Sequence, residues 1–492
     1  MIKHDPTSNS PHTPSIHILD DYSILHIFYL YRPAMLGEGE DDYVRLRGGQ
    51  GWDRERWWYR LAHVCQRWRN IILGSASYLK LCLVCTYGTP VATMLERSPP
   101  LPIVIDYPEV NWDITSQDEE GIMLALEHHD RIRRVRFWTS VPKLQKFIMA
   151  FDKDFPGLEY LIMAHSEVES TALILPETLQ APHLRHLLLA GFSISTESLL
   201  ITAAVGLVTL TLTVPLSAYF EPNALLQRLS FMPQLETVLI DFLSPVPSDV
   251  VEKQAMHSPI TAHVTLPRLR WFSFRGVSAY LEEIIHRITS PRLEKLSIEF
   301  FEEVTFSVSR LLQFMNTTKN LRFNSAQFKF SSDDVDVEVH PHEDSEPEMY
   351  ALSLRVRCNH LDRQVFSVAQ IFNPLSQILT TVEHLTFERE VHDLLSEEDD
   401  EVDRAAWHKL FRSFSKVKTL HVGDGLVEEV SRSLRLEDGE LPVGVLPELQ
   451  ELRYSGSGDN GDAFTSFTDA RQNADCPVTL VLGQARPVIP AS

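Results

Sequence analysis

A short phrase recurs along this chain of 492 residues and restricts what it can fold into. One apolar residue is followed by two variable ones and then by alternating apolar positions. It stands as Leu158-Glu159-Tyr160-Leu161-Ile162-Met163 and as Leu184-Arg185-His186-Leu187-Leu188-Leu189. Further copies run Leu207 to Leu212, Leu235 to Ile240, Leu269 to Phe274 and Leu293 to Ile298, then Val382 to Phe387, Val417 to Val422 and Leu449 to Tyr454. Starts at 158, 184, 207, 235, 269 and 293 are 26, 23, 28, 34 and 24 residues apart, with weaker starts at 321 and 352. The alternation is that of a half-buried strand. Helical apolar segments such as Leu281 to Ile288 lie between copies, and Pro182, Pro233, Pro267, Pro291 and Pro447 precede several of them. A strand-plus-helix unit of this size cannot bury its apolar face alone, so neighbours must stack.

The mid-twenties period with Leu-x-x-Leu-x-Leu resembles a divergent leucine-rich repeat, in which the usual Asn or Cys after the strand is mostly missing. The resemblance implies an α/β solenoid, a horseshoe of strand-plus-helix units. Earlier units are expected at Leu79–Val84, Ile103–Tyr107 and Ile132–Trp138. At the far end, Phe464 to Arg471 reads as a helix and Val478 to Leu482 as a final strand that closes the stack. In a curved stack the alternate, non-core strand residues line the concave face. The period of two selects Trp271, Arg275, Lys295, Glu299, His384 and His421 as the leading substrate-binding candidates there, with Tyr160, His186, Thr209, Thr211, Ser273, Glu388 and Arg453 beside them.

The segment before the repeats has a different character. Asp20 and Asp21 offer oxygens for the free N–H groups of a helix start. Ile24, Leu25, Ile27, Phe28 and Tyr31 then form an apolar helical stripe that Pro33 ends. Farther on, Trp57, Leu61, Val64, Cys65, Trp68 and Ile72 follow spacings of 4, 3, 1, 3 and 4, which predicts one face of a single helix from 57 to 72. Gly74 is a fitting stop.

Leu19 to Phe28, then Leu61 to Ile72 with Val64, Cys65, Trp68 and Arg69, and then Leu79 to Leu83, together resemble the F-box of fungal F-box proteins. The resemblance implies an all-helical module docking through apolar side chains on the Skp-type adaptor of a cullin–RING ligase. The adaptor-binding set it implies is Leu19, Ile24, Leu25, Ile27, Phe28, Trp57, Leu61, Val64, Cys65, Trp68, Arg69 and Ile72. Asp20 stands where the family has proline, and a loop of about twenty residues parts the two helical stretches.

Charge and cysteine usage narrow the function class. With 45 Lys and Arg against 67 Asp and Glu the net charge is −22, which disfavours nucleic acid and anionic membranes as partners. The acid is concentrated at Asp333–Glu348 and Glu397–Asp403, which read as solvated loops. Five cysteines, Cys65, Cys82, Cys85, Cys358 and Cys476, are too few and odd in number for a disulfide framework, so a reducing compartment, cytoplasmic or nuclear, is expected. The first ten residues lack the apolar stretch of a secretory signal. The uncharged run Ser198–Phe220 is long enough to span a bilayer, but Gly206, Pro215 and the Thr209-Leu210-Thr211-Leu212-Thr213 alternation predict a short helix, a turn and a buried strand. Cys82-Leu-Val-Cys85 has no second pair to complete a zinc site. No hydrolase or metalloprotease motif occurs, so neither a cofactor nor enzymatic activity is expected.

The expected organisation is a disordered tail at 1–15 and an F-box-like module at 16–75 with an inserted loop at 34–53. Irregular first repeats follow at 76–157. A solenoid covers 158–482 with acidic loops at 332–349 and 396–404, and a tail ends the chain at 483–492. The function expected is the substrate-recognition subunit of an SCF-type ubiquitin ligase, binding the adaptor through the module and an unknown protein target through the repeats. The alternative is a leucine-rich-repeat interaction scaffold whose F-box is vestigial.

Overall fold

The computed structural model describes residues 18–33, 55–108, 114–165, 172–193, 198–215, 221–243, 263–302, 304, 308–318, 320–342, 350–389, 404–436, 441, 443–455 and 463–483. The expected tail at 1–15, the loop at 34–53 and nearly all of 396–404 and 483–492 lie outside them. The chain divides into two compact units, Met1–Ser166 and Glu167–Ser492.

In the first unit three helices, α1 (Asp21–Tyr31), α2 (Trp57–Ala62) and α3 (Gln66–Gly74), precede β1 (Leu83–Cys85). Helix α4 (Val91–Arg97), β2 (Ile103–Tyr107), α5 (Ser116–Glu127), β3 (Ile132–Trp138), α6 (Val141–Ile148) and β4 (Tyr160–Ala164) follow. The strands form a parallel sheet in the order β1-β2-β3-β4. The chain start of α1 is as the sequence predicts, with Asp20 accepting from the Ser23 amide at 2.7 Å. The single helix expected over 57–72 is two helices. Cys65 has extended backbone and caps α3, its sulfur 3.5 Å from the Trp68 amide. The break turns the chain, so Trp58 and Ala62 are buried while Val64 is 58% exposed. The first strand is also shorter than expected: 75–80 are turns, with Lys80 at φ 51°, and pairing begins only at Leu83.

The helical stretch is not a module separate from the repeats. Ile24, Phe28, Trp58, Ala62 and Ile72 share one apolar core with Leu79, Leu81, Leu83 and Leu101. The Trp58 indole N–H donates to the Cys82 carbonyl at 3.2 Å. Glu55 pairs with Arg134 on β3 and accepts from the Cys82 thiol at 2.7 Å. The apolar faces of α1 to α3 are satisfied by the first strands, and the compact unit that holds both runs to Ser166.

The second unit holds β5 (His186–Ala190), α7 (Leu199–Ala203), β6 (Thr209–Val214), α8 (Pro222–Leu229), β7 (Thr237–Phe242), β8 (Trp271–Gly276), α9 (Ser278–Ile285), β9 (Lys295–Phe300) and α10 (Ser309–Thr317). It continues with β10 (Ser325–Phe330), β11 (Asp334–His340), β12 (Leu352–Arg357), α11 (Leu361–Phe372), β13 (His384–Arg389), α12 (Arg404–Arg412), β14 (Thr419–Val422), α13 (Val427–Leu434), β15 (Glu451–Ser455), α14 (Thr465–Asn473) and β16 (Thr479–Gly483). Of the uncharged run at 198–220, the described residues 198–215 hold α7 and β6, and 216–220 lie outside them; among the described residues no helix is long and apolar enough to cross a membrane. The leading apolar residue of each phrase, from Leu184 to Leu449, is buried just before its strand. Its amide closes a turn onto the carbonyl three residues back, as Leu207 onto Ala204, Leu235 onto Met232 and Leu293 onto Ser290. The next two amides then share one carbonyl of the preceding repeat. Arg270 and Trp271 bond Glu236, and Glu294 and Lys295 bond Arg270. This lateral ladder is why the phrase repeats: each copy satisfies the backbone of its neighbour.

The strand order is β5-β6-β7-β8-β9-β12-β11-β10-β13-β14-β15-β16. All pairs are parallel except β12–β11 and β11–β10. Strand β10 skips two places, β11 returns antiparallel, and β12 fills the gap beside β9. The acidic loop expected at 332–349 is thus in part a strand. Val335, Val337 and Val339 are fully buried, and Asp334, Asp336 and Glu338 project from the other face. The rest of that stretch, 343–349, lies outside the described residues.

Candidate interaction surfaces

Helix α1 carries the first surface. Its sequence, Asp-Tyr-Ser-Ile-Leu-His-Ile-Phe-Tyr-Leu-Tyr, is apolar almost all round. One side packs inward: Ile24 and Phe28 are buried, and Phe28 meets Trp68 edge to face at 5.0 Å. The other side holds Tyr22, 80% exposed, Leu30, 70% exposed, and exposed Ile27 and Tyr31. Ile18, Leu19 and Val64 are exposed as well. Helices with apolar residues on every side are normally covered on every side.

The implied adaptor-binding set therefore splits. Ile24, Phe28 and Ile72 are core and cannot reach a partner, while Leu25, Trp57, Leu61 and Trp68 are half-buried against that core. Cys65 is a helix cap, and the Arg69 guanidinium donates to the Ala62 carbonyl at 3.1 Å, closing the turn between α2 and α3. Only Leu19, Ile27 and Val64 of the set present apolar side chains outward. Tyr22 and Leu30 were missed because a stripe at helical spacing marks the buried side, and the exposed apolar side carries no periodic signal. Arg67 fixes the start of α1 against α3, pairing with Asp21 at 2.7 Å and donating to the Leu19 carbonyl at 2.6 Å.

The second surface is the sheet face of the second unit that carries the non-core strand residues. Three rows cross it. Trp271 pairs laterally with Lys295, whose ammonium lies 5.7 Å from the Trp271 ring centre and 5.6 Å from that of Tyr350. The next row is Ser273, Ser297 and Ser353. The third is Arg275, Glu299 and Arg355. Small serines between two rows of large side chains leave a shallow trough, floored by hydroxyls and walled by an aromatic–cation row and a charged row. Burial raises the Tyr350 phenol pKa, opposed by its hydrogen bond to Ser297.

The charged row runs much farther than the sequence reading foresaw. Asp241, Arg275, Glu299, Arg355, Asp336, Lys329 and Glu388 are successive lateral neighbours on seven strands, alternating in sign. Arg275 lies 3.5 Å from Asp241 and 3.1 Å from Glu299; Arg357 also holds Glu299 at 2.8 Å, and Arg355 holds Asp336 at 2.6 Å. Phe301 is flanked by the Arg275 and Arg357 guanidinium groups, 5.3 and 5.6 Å from its ring centre. Burial opposes the Arg355 charge, yet the hydrogen bond to Asp336 and the nearby carboxylates raise its pKa. The hydrogen bond with His340 is the main cause that lowers the Glu338 pKa, against burial and with help from Lys329. Opposite charges directly across adjacent strands contribute about 0.2–1 kcal/mol each. Along this row the face is consequently self-neutralised.

Of the sequence-selected residues, Trp271, Arg275, Lys295 and Glu299 come together around this trough. His384 and His421 do not: β12, β11 and β10 separate β9 from β13, so His384 is roughly 19 Å from Lys295 at ordinary strand spacing. His421 instead contacts the Ser455 hydroxyl at 3.4 Å. Asp336 was hidden by the reading of 332–349 as a loop, which left its lateral neighbours Lys329 and Arg355 unconnected, although valine alternating with acid in Val335 to Val339 was a visible strand signal. Cys82 and Cys85 are buried free thiols whose pKa burial raises, that of Cys85 to about 12, so both are poor nucleophiles.

These features define a mixed α/β repeat protein with a long, largely parallel sheet. No protein-family model matches the chain, and no curated protein matches it. A similar solved structure is the leucine-rich repeat-containing protein LegL7 from Legionella pneumophila, 10% identical, covering 80% of this chain and 98% of that one with a TM-score of 0.27. At that score the likeness carries no weight, and the repeat architecture rests on the strand register and the lateral ladder described above.

Proposed function

We propose that this chain is a substrate-recognition subunit of an SCF-type cullin–RING ubiquitin ligase. Its N-terminal helices dock on a Skp-type adaptor, and the trough of the repeats holds a protein target. The chain itself performs no chemistry; it raises the effective concentration of target lysines near the conjugating enzyme. Such a partner set belongs to the cytoplasm or nucleus. The observation that carries the reading is the apolar outer side of α1, with Tyr22, Ile27, Leu30 and Tyr31 open beside a helix already anchored by its inner side.

Deleting 14–75 is a poor test, because it also removes Phe28, Trp58 and Ile72 from the core of the first unit. The better test is full-length Tyr22→Asp/Leu30→Asp. Wild type is expected to co-purify with a Skp-type adaptor and the variant to lose it, with unchanged melting. Equal recovery by both would sink the docking role. If wild type itself binds no adaptor, the second reading stands: a repeat scaffold with a vestigial F-box. That reading is favoured by the way Cys65, Arg69 and Ile72 serve the packing of the module.

A further inference from the structure

Helix α5 carries apolar residues on two sides. Ile122, Ala125 and Leu126 are buried and make the inner one. Glu120, Met123, Leu124 and Glu127 stand at i, i+3, i+4 and i+7 and share an outer face. That face is an apolar pair bracketed by two carboxylates. Met123 and Leu124 are half-buried, and Glu120 and Glu127 are exposed.

The face opens on a groove of about 540 Å³ between α5 and α4, within the ~300–1,000 Å³ of ligand sites. The wall on the α4 side is low, because Thr89, Ala92 and Thr93 form it. Val91 packs on Gly121 beneath. A Cβ on Gly121 would lie 2.9 Å from Val91 Cγ2, so a glycine here is what admits the contact. Every described residue that lines the groove belongs to the first unit.

The carboxylates of this face are not answered within the described residues. Glu119, one position away, pairs with Lys146 on α6. Neither Glu120 nor Glu127 meets a cation there. Glu127 is the last residue of α5, where the carbonyl end of the helix disfavours a carboxylate, and no basic residue stands in that turn. Residues 109–113, just before α5 and outside the described set, hold Glu109 and Asp113 but no Lys or Arg, so their charge does not suit the face either.

We propose that this groove docks a basic amphipathic helix of a partner protein, laid along α5. The proposal does not depend on the adaptor reading. Glu120 and Glu127 are about two turns apart, ~10.5 Å at 1.5 Å per residue. Lysines or arginines at i and i+7 of a partner helix have the same separation, and an apolar pair at i+3 and i+4 then enters the groove against Met123 and Leu124. An amphipathic helix in an apolar groove is a recurring mode of recognition. A cation set against Glu127 also relieves its conflict with the helix terminus. Phosphate-bearing partners, nucleic acid or anionic lipid, would meet two like charges here.

The test uses the full chain and three synthetic helical peptides, read by fluorescence anisotropy. One carries Lys at i and i+7 around a Leu-Leu pair, one is the same composition scrambled, and one has Glu in place of Lys. The first should bind in low salt with micromolar affinity and at least tenfold more weakly in about 0.5 M salt. The scrambled and acidic peptides should bind at least tenfold more weakly than the first in low salt. Glu120→Gln/Glu127→Gln should weaken the first peptide at least tenfold, and Ala92→Phe, which fills the groove without changing its charge, at least fivefold. All three positions are exposed, so both variants should keep the wild-type melting temperature. The proposal is overturned if wild type binds none of the peptides, or if either variant binds the first peptide as wild type does. It is likewise overturned if the scrambled peptide binds equally well, which would mean attraction to the net charge of −22 alone.

Discussion

The break between α2 and α3 yields a sharp prediction about which residues hold the first unit together. A single helix over 57–72 would bury Trp57, Leu61, Val64 and Trp68 on one face. The two-helix arrangement instead buries Trp58, 3% exposed, stacked on Tyr59 at 4.3 Å and bonded to the Cys82 carbonyl, and leaves Val64 outside. Trp58→Ala should cost about 3–5 kcal/mol, from lost burial plus the cavity left behind. In a unit of 166 residues, about 2–4 °C per kcal/mol makes that a fall of roughly 6–20 °C. Trp58→Phe keeps most of the volume but strands the Cys82 carbonyl, so about 1–3 kcal/mol is expected. Val64→Asp should stay within about 0.5 kcal/mol, as surface changes do. Differential scanning calorimetry on the full chain, with urea unfolding followed by tryptophan emission, reads all three. If Val64→Asp lowers the transition as far as Trp58→Ala, the two-helix account is wrong.

Glu282 on α9 accepts from the amides of Arg310 and Leu311, each at 2.9 Å, and so caps α10, which has no side-chain cap of its own. Glu282→Leu should destabilise by about 1–2 kcal/mol in urea titrations, and Glu282→Gln by less because one acceptor oxygen remains. In the charged row, Arg355→Met should cost no more than about 1 kcal/mol, because the side chain is partly solvated. That loss should shrink in 1 M salt at about a 3 Å screening length; an equal loss at low and high salt would mean that packing, not charge, is responsible. The lowered Glu338 pKa, set mainly by His340, gives stability present above the ordinary carboxylate range and lost as pH falls through the lowered value. Glu338→Gln should therefore flatten the acid limb of a stability–pH profile while leaving its neutral limb parallel to wild type.

Much of the repeat region was legible from residues alone. Leu-x-x-Leu-x-Leu located β5 to β9 and β13 to β15, since a leading leucine followed by alternation reflects one buried turn and one buried strand face. The final helix and strand were legible for the same reason. The hairpin at β10 and β11 was not, because carboxylates on one face outweighed the valines on the other when the stretch was judged by composition. Its consequence, β12 slipping in beside β9, is a choice among strand partners that no local pattern encodes.

What the sequence by itself determined is the set of residues that alternate or stripe, and hence which side chains seek burial. Only the tertiary structure decided which neighbours satisfy them. It made Trp58, not Trp57, the anchor of the helices, because the chain turns at Cys65. It set Asp241 to Glu388 into one alternating row, because lateral register is a property of stacked backbones. It left Tyr22, Leu30 and Leu482 largely in water, because periodicity does not say which apolar side chains find a neighbour. Periodicity reports the wish for a partner; packing alone shows where that wish is unmet.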